Sequence, residues 1–156
     1  MTVLERLTQM FPDAVHGTSS DGKAFVYVLP EDLPETCRRI RDELGFGRFV
    51  DLTCADFPER PDRFDVHVLL YSMSEHLWLR VKTRTADGLP TLTGLWAGTN
   101  WYERELFDLF GIHVEGHPDL TRILTPDDWA FHPLRRDEPL GSIPIDFTVT
   151  RELYDT

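Results

Sequence analysis

Residues 64–85 read FDVHVLLYSMSEHLWLRVKTRT, and their alternation decides the fold. Phe64, Val66, Val68 and Leu70 fall on one side of an extended chain. After a tight connection at 72–75, Leu77, Leu79, Val81 and Thr83 repeat the period, against His76, Trp78, Arg80, Lys82 and Arg84 on the other side. Successive strand side chains point to opposite faces, so each run has one largely apolar and one largely wet face. By length and spacing the two runs predict a hairpin in an antiparallel sheet covered on one side.

Upstream, residues 48–57 alternate with Val50, Leu52 and Cys54 on one face, which predicts a third strand ending before the loop at 58–62. Before it, Asp32 and Glu35 have capping-box spacing. Leu33, Cys37, Ile40 and Leu44 then form an apolar helical stripe; Pro34 is tolerated in the first turn, and Gly45 ends the helix. Residues 23–29 are β-rich and follow a turn at 19–22. A short first helix over 2–11 opens with the capping pair Thr2 and Glu5 and carries Val3, Leu4, Leu7, Met10 and Phe11 at helical spacing.

Downstream come a loop at 87–90, one helical turn at 93–96, and the segment 101–111, WYERELFDLFG. Asn100 and Glu103 are spaced as a cap pair. Tyr102, Leu106 and Phe110 share a helix face, Arg104 and Asp108 lie in ion-pair register, and Gly111 occupies the position of a left-handed cap. Acids, one base and large apolar side chains alternate around most of the circumference, which predicts a helix buried on two sides with its charges paired. The fold class is therefore α+β, a mostly antiparallel sheet covered by helices on one face, over residues 1–111. Residues 112–156 carry Pro118, Pro126, Pro133, Pro139 and Pro144 among many apolar residues, and predict a long irregular C-terminal arm buried against partners. Within it, Ile143, Ile145, Phe147 and Val149 alternate like an edge strand.

The chain has 156 residues, 41% of them hydrophobic and 28% charged, which suits one globular domain. A net charge of −11 repels a phosphate backbone and argues against nucleic acid as a partner. No apolar run approaches the ~20 residues of a membrane span, and residues 2–6 do not resemble a signal peptide. The expected location is the cytoplasm, with any membrane association indirect. Cys37 and Cys54 are too few for an iron–sulfur cluster or a structural zinc site, and are read as small apolar residues.

Four constellations bear on chemistry. His113, Glu115, His117 and His132 could ligate a metal, but HxExH differs from the zincin spacing and Gly116 and Pro118 break any helix beneath it. Glu103, Glu105 and Asp108 could include an acid/base pair, though Glu103 and Glu105 diverge on a helix. Ser72, Ser74 and His76 lack a nucleophile elbow. No glycine-rich phosphate loop is present. The stripe Arg80, Lys82 and Arg84 reads as the solvated face of a strand. Ion pairing and interface packing explain these residues more simply than catalysis does.

The strings NWYERELFDLFG at 100–111 and IHVEGHPDLTRILTPDDWAFHPLRRDEPLG at 112–141 resemble the signature of the C-subunit family of the proton-pumping NADH:quinone oxidoreductase, respiratory complex I. The residues that carry the resemblance are Trp101, Glu103, Arg104, Glu105, Asp108, Phe110 and Gly111, then His117, Pro118 and Arg122, then His132, Pro133, Leu134 and Arg135. The resemblance implies a non-catalytic peripheral-arm subunit packed against the large D subunit, on the cytoplasmic face of the bacterial inner membrane. It implies no cofactor in this chain, with FMN and iron–sulfur clusters in partner subunits. Thr121 and Phe131 depart from the family pattern, which usually has a basic residue or proline at the first and often glycine at the second. The equivalent subunit of a membrane-bound nickel–iron hydrogenase or a related complex is the alternative. An independent metal-dependent enzyme is the alternative of another class.

Overall fold

The computed structural model describes residues 1–138. Its elements are α1 (Val3–Met10), β1 (Val15–Thr18), β2 (Ala24–Tyr27), α2 (Leu33–Leu44), β3 (Arg48–Asp56), β4 (Phe64–Ser72), β5 (Leu77–Thr85), β6 (Gly88–Pro90), α3 (Thr99–Phe110) and β7 (His113–Glu115). Five strands form one sheet in the order β1-β2-β5-β4-β3, and β6 and β7 pair separately.

The expected hairpin is the centre of this sheet. Val68 faces Val81 and Leu70 faces Leu79 across β4 and β5, and all four are fully buried. Cross-strand apolar pairs on one face stabilise a sheet and fix its register. β3 adds antiparallel to β4, with an irregularity between Phe49 and Asp51. The sheet is not wholly antiparallel, because β2 runs parallel to β5. Alternation within a strand is the same for either direction, so the sequence pattern carried no sign of this pairing.

One face of the sheet carries the core. Leu7 of α1, Leu33, Cys37 and Ile40 of α2, and Leu106 of α3 pack with Val26, Val66, Val68, Leu79 and Val81. Each such side chain contributes roughly 1.5–3 kcal/mol relative to exposure. Cys37 and Cys54 are both free. Burial pushes the Cys54 thiol up to about 12 and the Cys37 thiol higher still, so both stay protonated and apolar in character.

Local chemistry explains most helix ends. The Thr2 and Glu5 capping box is present in both directions, at 3.2 and 2.7 Å. Gly45 and Gly111 close α2 and α3 with φ of 76° and 73°. The predicted Asp32 box is absent. A 3-10 turn at Pro30–Asp32 leads straight into α2 and gives Asp32 helical torsions, so its carboxylate does not cap. Glu35 instead binds Arg38. The Asn100 and Glu103 pair also fails: α3 begins at Thr99 and Glu103 turns inward.

β6 and β7 form a parallel clip, Gly88 opposite His113 and Pro90 opposite Glu115. Ile112 and Val114 are buried beside α3, so the chain past Gly111 continues the same packing before it becomes irregular. The Ile143, Ile145, Phe147 and Val149 strand lies outside the described residues. No helix among the described residues is long and apolar enough to cross a membrane.

Candidate functional site

The residues singled out in the sequence converge on α3 and on the segment that folds back along it. Asp108 is the hub. Its side chain is fully buried and accepts three consecutive backbone N–H groups, from Ile123 at 3.0 Å, Leu124 at 2.6 Å and Thr125 at 3.0 Å. The Thr125 hydroxyl and the Arg122 guanidinium, 2.8 Å away, complete its shell. Burial alone raises the pKa of this carboxyl. The Thr125 hydroxyl, the Leu124 and Thr125 N–H groups and Arg122 outweigh burial and hold it well below the usual carboxylate range.

Arg122 ties more than the charge. It also donates to the Asp108 carbonyl at 3.2 Å, to Phe131 O at 3.3 Å and to Trp129 O at 2.8 Å. One guanidinium thus ties two irregular stretches of chain, at Thr125 and at 129–131, to the last turn of α3. The Arg104–Asp108 ion pair read from helical spacing does not form. Arg104 donates to Thr121 O at 3.0 Å and Arg122 O at 3.3 Å, and its guanidinium lies 5.0 Å over the Trp101 ring. Three aligned N–H groups and a better placed arginine displace a neighbour that offers only i,i+4 spacing.

The C-terminal end of α3 is capped from the same segment. The Leu134 N–H donates to Leu109 O at 3.0 Å, and the Arg135 side chain donates to Phe110 O at 2.5 Å. His132 Nδ1 lies 3.0 Å from Asp108 O. These groups satisfy carbonyls that a helix end leaves unpaired. Gly111 sits beneath them: a Cβ there would meet Arg135 Nη2 at 2.5 Å and His132 Nε2 at 2.6 Å. Pro133 is part of the tight turn that brings His132 and Arg135 over this glycine.

Glu103 and His117 form a second buried pair. Glu103 accepts the Leu92 N–H and the Thr91 hydroxyl, each at 2.6 Å, and lies 3.8 Å from His117 Nε2. His117 Nδ1 accepts the Asp119 N–H, so Nε2 carries the proton and faces Asn100 O at 3.3 Å. Pro118 follows directly and fixes the turn out of this pocket. With both nitrogens engaged, His117 does not join His113, Glu115 and His132 in a ligand set. Among the described residues, no group of three or more such side chains could hold a metal ion.

Spacing did not reveal a third anchor. Asp56 accepts Arg63 at 2.7 Å through both oxygens and takes the Arg136 N–H at 2.8 Å. Burial opposes its ionisation, but Arg63 and the Arg136 N–H lower the pKa nevertheless. The signal was available, since Asp56 continues the apolar phase of Leu52 and Cys54, where a carboxylate needs a buried partner.

Three large apolar side chains remain outside these locks: Trp101 is 62% exposed, Leu124 63% and Leu134 49%. Trp101 is about 10 Å along the helix from Asp108 at 1.5 Å per residue. Half-exposed Glu105 lies between them with no hydrogen-bonding partner among the described residues. Phe110 is buried against Phe64, with ring centroids 6.3 Å apart. The arrangement holds apolar groups rigidly at a surface, while the carboxylates of Glu103 and Asp108 are spent inside the fold.

The depressed Asp108 pKa sets an acid limit. Its lock contributes fully above the unfolded carboxyl pKa of about 3.9 and is lost as pH falls through the lower folded value. Stability is thus expected to hold from neutral pH to about pH 4 and to fall below it. Urea midpoints measured against pH check this, and Asp108→Asn should flatten that acid limb.

Similarity to known proteins agrees with this anatomy. The family described as "Respiratory-chain NADH dehydrogenase, 30 Kd subunit" matches residues 26–143. The C subunit of NADH-quinone oxidoreductase from Roseiflexus sp. (strain RS-1) is 43% identical over 97% of this chain and 90% of that protein. A joint C/D subunit of NADH-quinone oxidoreductase from Aquifex aeolicus (strain VF5) is 38% identical over 90% of this chain and 24% of that longer protein. A solved trypsin-resistant fragment of Nqo5 superposes with a TM-score of 0.67 at 30% identity, covering 75% of this chain and 98% of the fragment. A chain of the archaeal membrane-bound sulfane sulfur reductase shares the fold, with a TM-score of 0.75 at 21% identity, covering 86% of this chain and 82% of that one. The match over most of its length makes this chain a member of the family of the 30 Kd subunit of respiratory-chain NADH dehydrogenase.

Proposed function

We propose that this chain is a non-catalytic structural subunit of the peripheral arm, and that α3 with residues 117–136 forms its docking face for the D subunit. The observation that carries this is the pairing of a rigid lock with exposed Trp101, Leu124 and Leu134. Large apolar and aromatic groups on a preorganised surface are what interface anchors require. The relatives whose names join C and D in one polypeptide support the D subunit as the neighbour. Residues 112–156 serve partner subunits on this reading. FMN and iron–sulfur clusters then belong to other subunits, and attachment to the cytoplasmic face of the inner membrane is indirect. Two cysteines cannot supply the four thiolates that an iron–sulfur cluster requires.

The test is copurification with the D subunit. Trp101→Ala together with Leu124→Ala should leave the thermal unfolding of this chain within a few degrees and lower recovery of the D subunit at least tenfold. Unchanged recovery would overturn the docking face. The equivalent place in a related membrane-bound complex is the second reading, favoured by the fold shared with the sulfane sulfur reductase chain. The 43% identical relative from NADH-quinone oxidoreductase supports the first reading over it.

A further inference from the structure

A second surface, on another part of the fold, combines a groove with exposed apolar side chains. A groove of about 920 Å³ opens between the α1–β1 connection, the end of β2 and the first turns of α2. Its apolar contacts are unusually open: Val15 is 66% exposed and Leu29 60%. Phe11 and Phe25 also line it. β1 is the edge of the sheet among the described residues, and none of their strands lies along its outer side.

The charges around the groove are unequal. Arg39 donates to Glu43 and to Met10 O and lies 5.0 Å over the Phe11 ring. Arg84 lies 4.9 Å over the Tyr27 ring. Both bases are therefore engaged within the fold. Asp13, Asp32 and Asp62 line the same groove and have no hydrogen-bonding or ion-pair partner among the described residues. A 3-10 turn in place of a capped helix start is what leaves the Asp32 carboxylate free.

We infer that this groove docks a cationic amphipathic segment of a partner polypeptide, with apolar side chains seated between Val15 and Leu29 and Lys or Arg side chains meeting Asp13, Asp32 and Asp62. The occupant follows from complementarity. An apolar floor rewards burial of apolar side chains, and free carboxylates on its rim select a positively charged segment and disfavour an acidic one. A second copy of this chain, with a net charge of −11, is electrostatically the wrong occupant. The inference rests on the reading that this chain works inside an assembly, but its site is separate from the α3 face.

The test places a photo-crosslinking phenylalanine analogue at Leu29 in the intact complex, purified through a tag on another subunit. Irradiation should yield one adduct, to a partner segment in which basic residues flank apolar ones. A triple change of Asp13, Asp32 and Asp62 to Lys should reduce that adduct at least fivefold while this chain keeps its unfolding midpoint. An adduct to an acidic segment, to lipid or to a second copy would overturn the inference. So would the absence of any adduct in a complex of full composition, or an adduct indifferent to charge reversal. If no complex containing this chain can be purified, the assembly reading fails first, and the two failures are thereby told apart.

Discussion

Arg122→Ala is expected to destabilise the chain by roughly 3–5 kcal/mol, the range for removing one partner of a buried ion pair. The Arg122 side chain is 13% exposed and its guanidinium holds the buried Asp108 carboxylate at 2.8 Å. Removing it leaves that carboxylate with its N–H donors but no countercharge, and frees Trp129 O and Phe131 O. The loss should appear as a lower urea midpoint and as faster tryptic cleavage at Arg135 and Arg136. Arg104→Ala is the contrast. Arg104 is only partly buried and bonds neutral oxygens of Thr121 and Arg122 with no buried countercharge, so about 0.5–1.5 kcal/mol is expected. Equal costs for the two variants would show that Asp108 does not depend on Arg122. A double change, Asp108→Ala with Arg122→Ala, should cost less than the sum of the single ones, because the charge and its partner leave together.

Gly111→Ala is expected to cost about 2–4 kcal/mol, from two sources that can be separated. A left-handed residue with a Cβ costs roughly 1–2 kcal/mol by itself. The remainder comes from pushing His132 and Arg135 off the helix end, where each satisfies a carbonyl at a net worth of about 1 kcal/mol. Asparagine tolerates the left-handed torsion better than alanine but has the same Cβ. Gly111→Asn should therefore recover the torsional part and not the contact part. Urea unfolding gives the totals, and hydrogen exchange at the Leu134 amide reports the loss of its bond to Leu109 O. Exchange at that amide unchanged in both variants would show that the returning segment is not held by this contact.

The hairpin at β4 and β5 was legible because alternation and burial agree at every second residue of β4, from Phe64 to Ser72. α2 was legible for the same reason at helical period. The parallel alignment of β2 with β5 was not, since a period carries no direction. The site was legible as a set of residues and misread as a set of pairs. Trp101, Glu103, Arg104, Asp108, Gly111, His117, Arg122, His132 and Arg135 do gather around α3. Yet the partners of Glu103 and Asp108 lie eleven to seventeen residues away, on backbone that has no regular structure. Helical spacing ranks only local candidates, and both carboxylates found stronger donors elsewhere. Asp56 escaped notice because its partners, Arg63 and the Arg136 N–H, lie across a loop and eighty residues away.

The bonds that Asp108 accepts from Ile123 and Leu124 are made by main-chain nitrogen and not by their side chains. The clasp therefore reads the path of the chain there and is blind to its lettering. Arg122 and Thr125 must keep their chemistry, but position 124 is free to change shape at the surface without loosening what holds it. Separate residues thus keep the grip and present the surface, so this face can be refitted to a different neighbour one residue at a time.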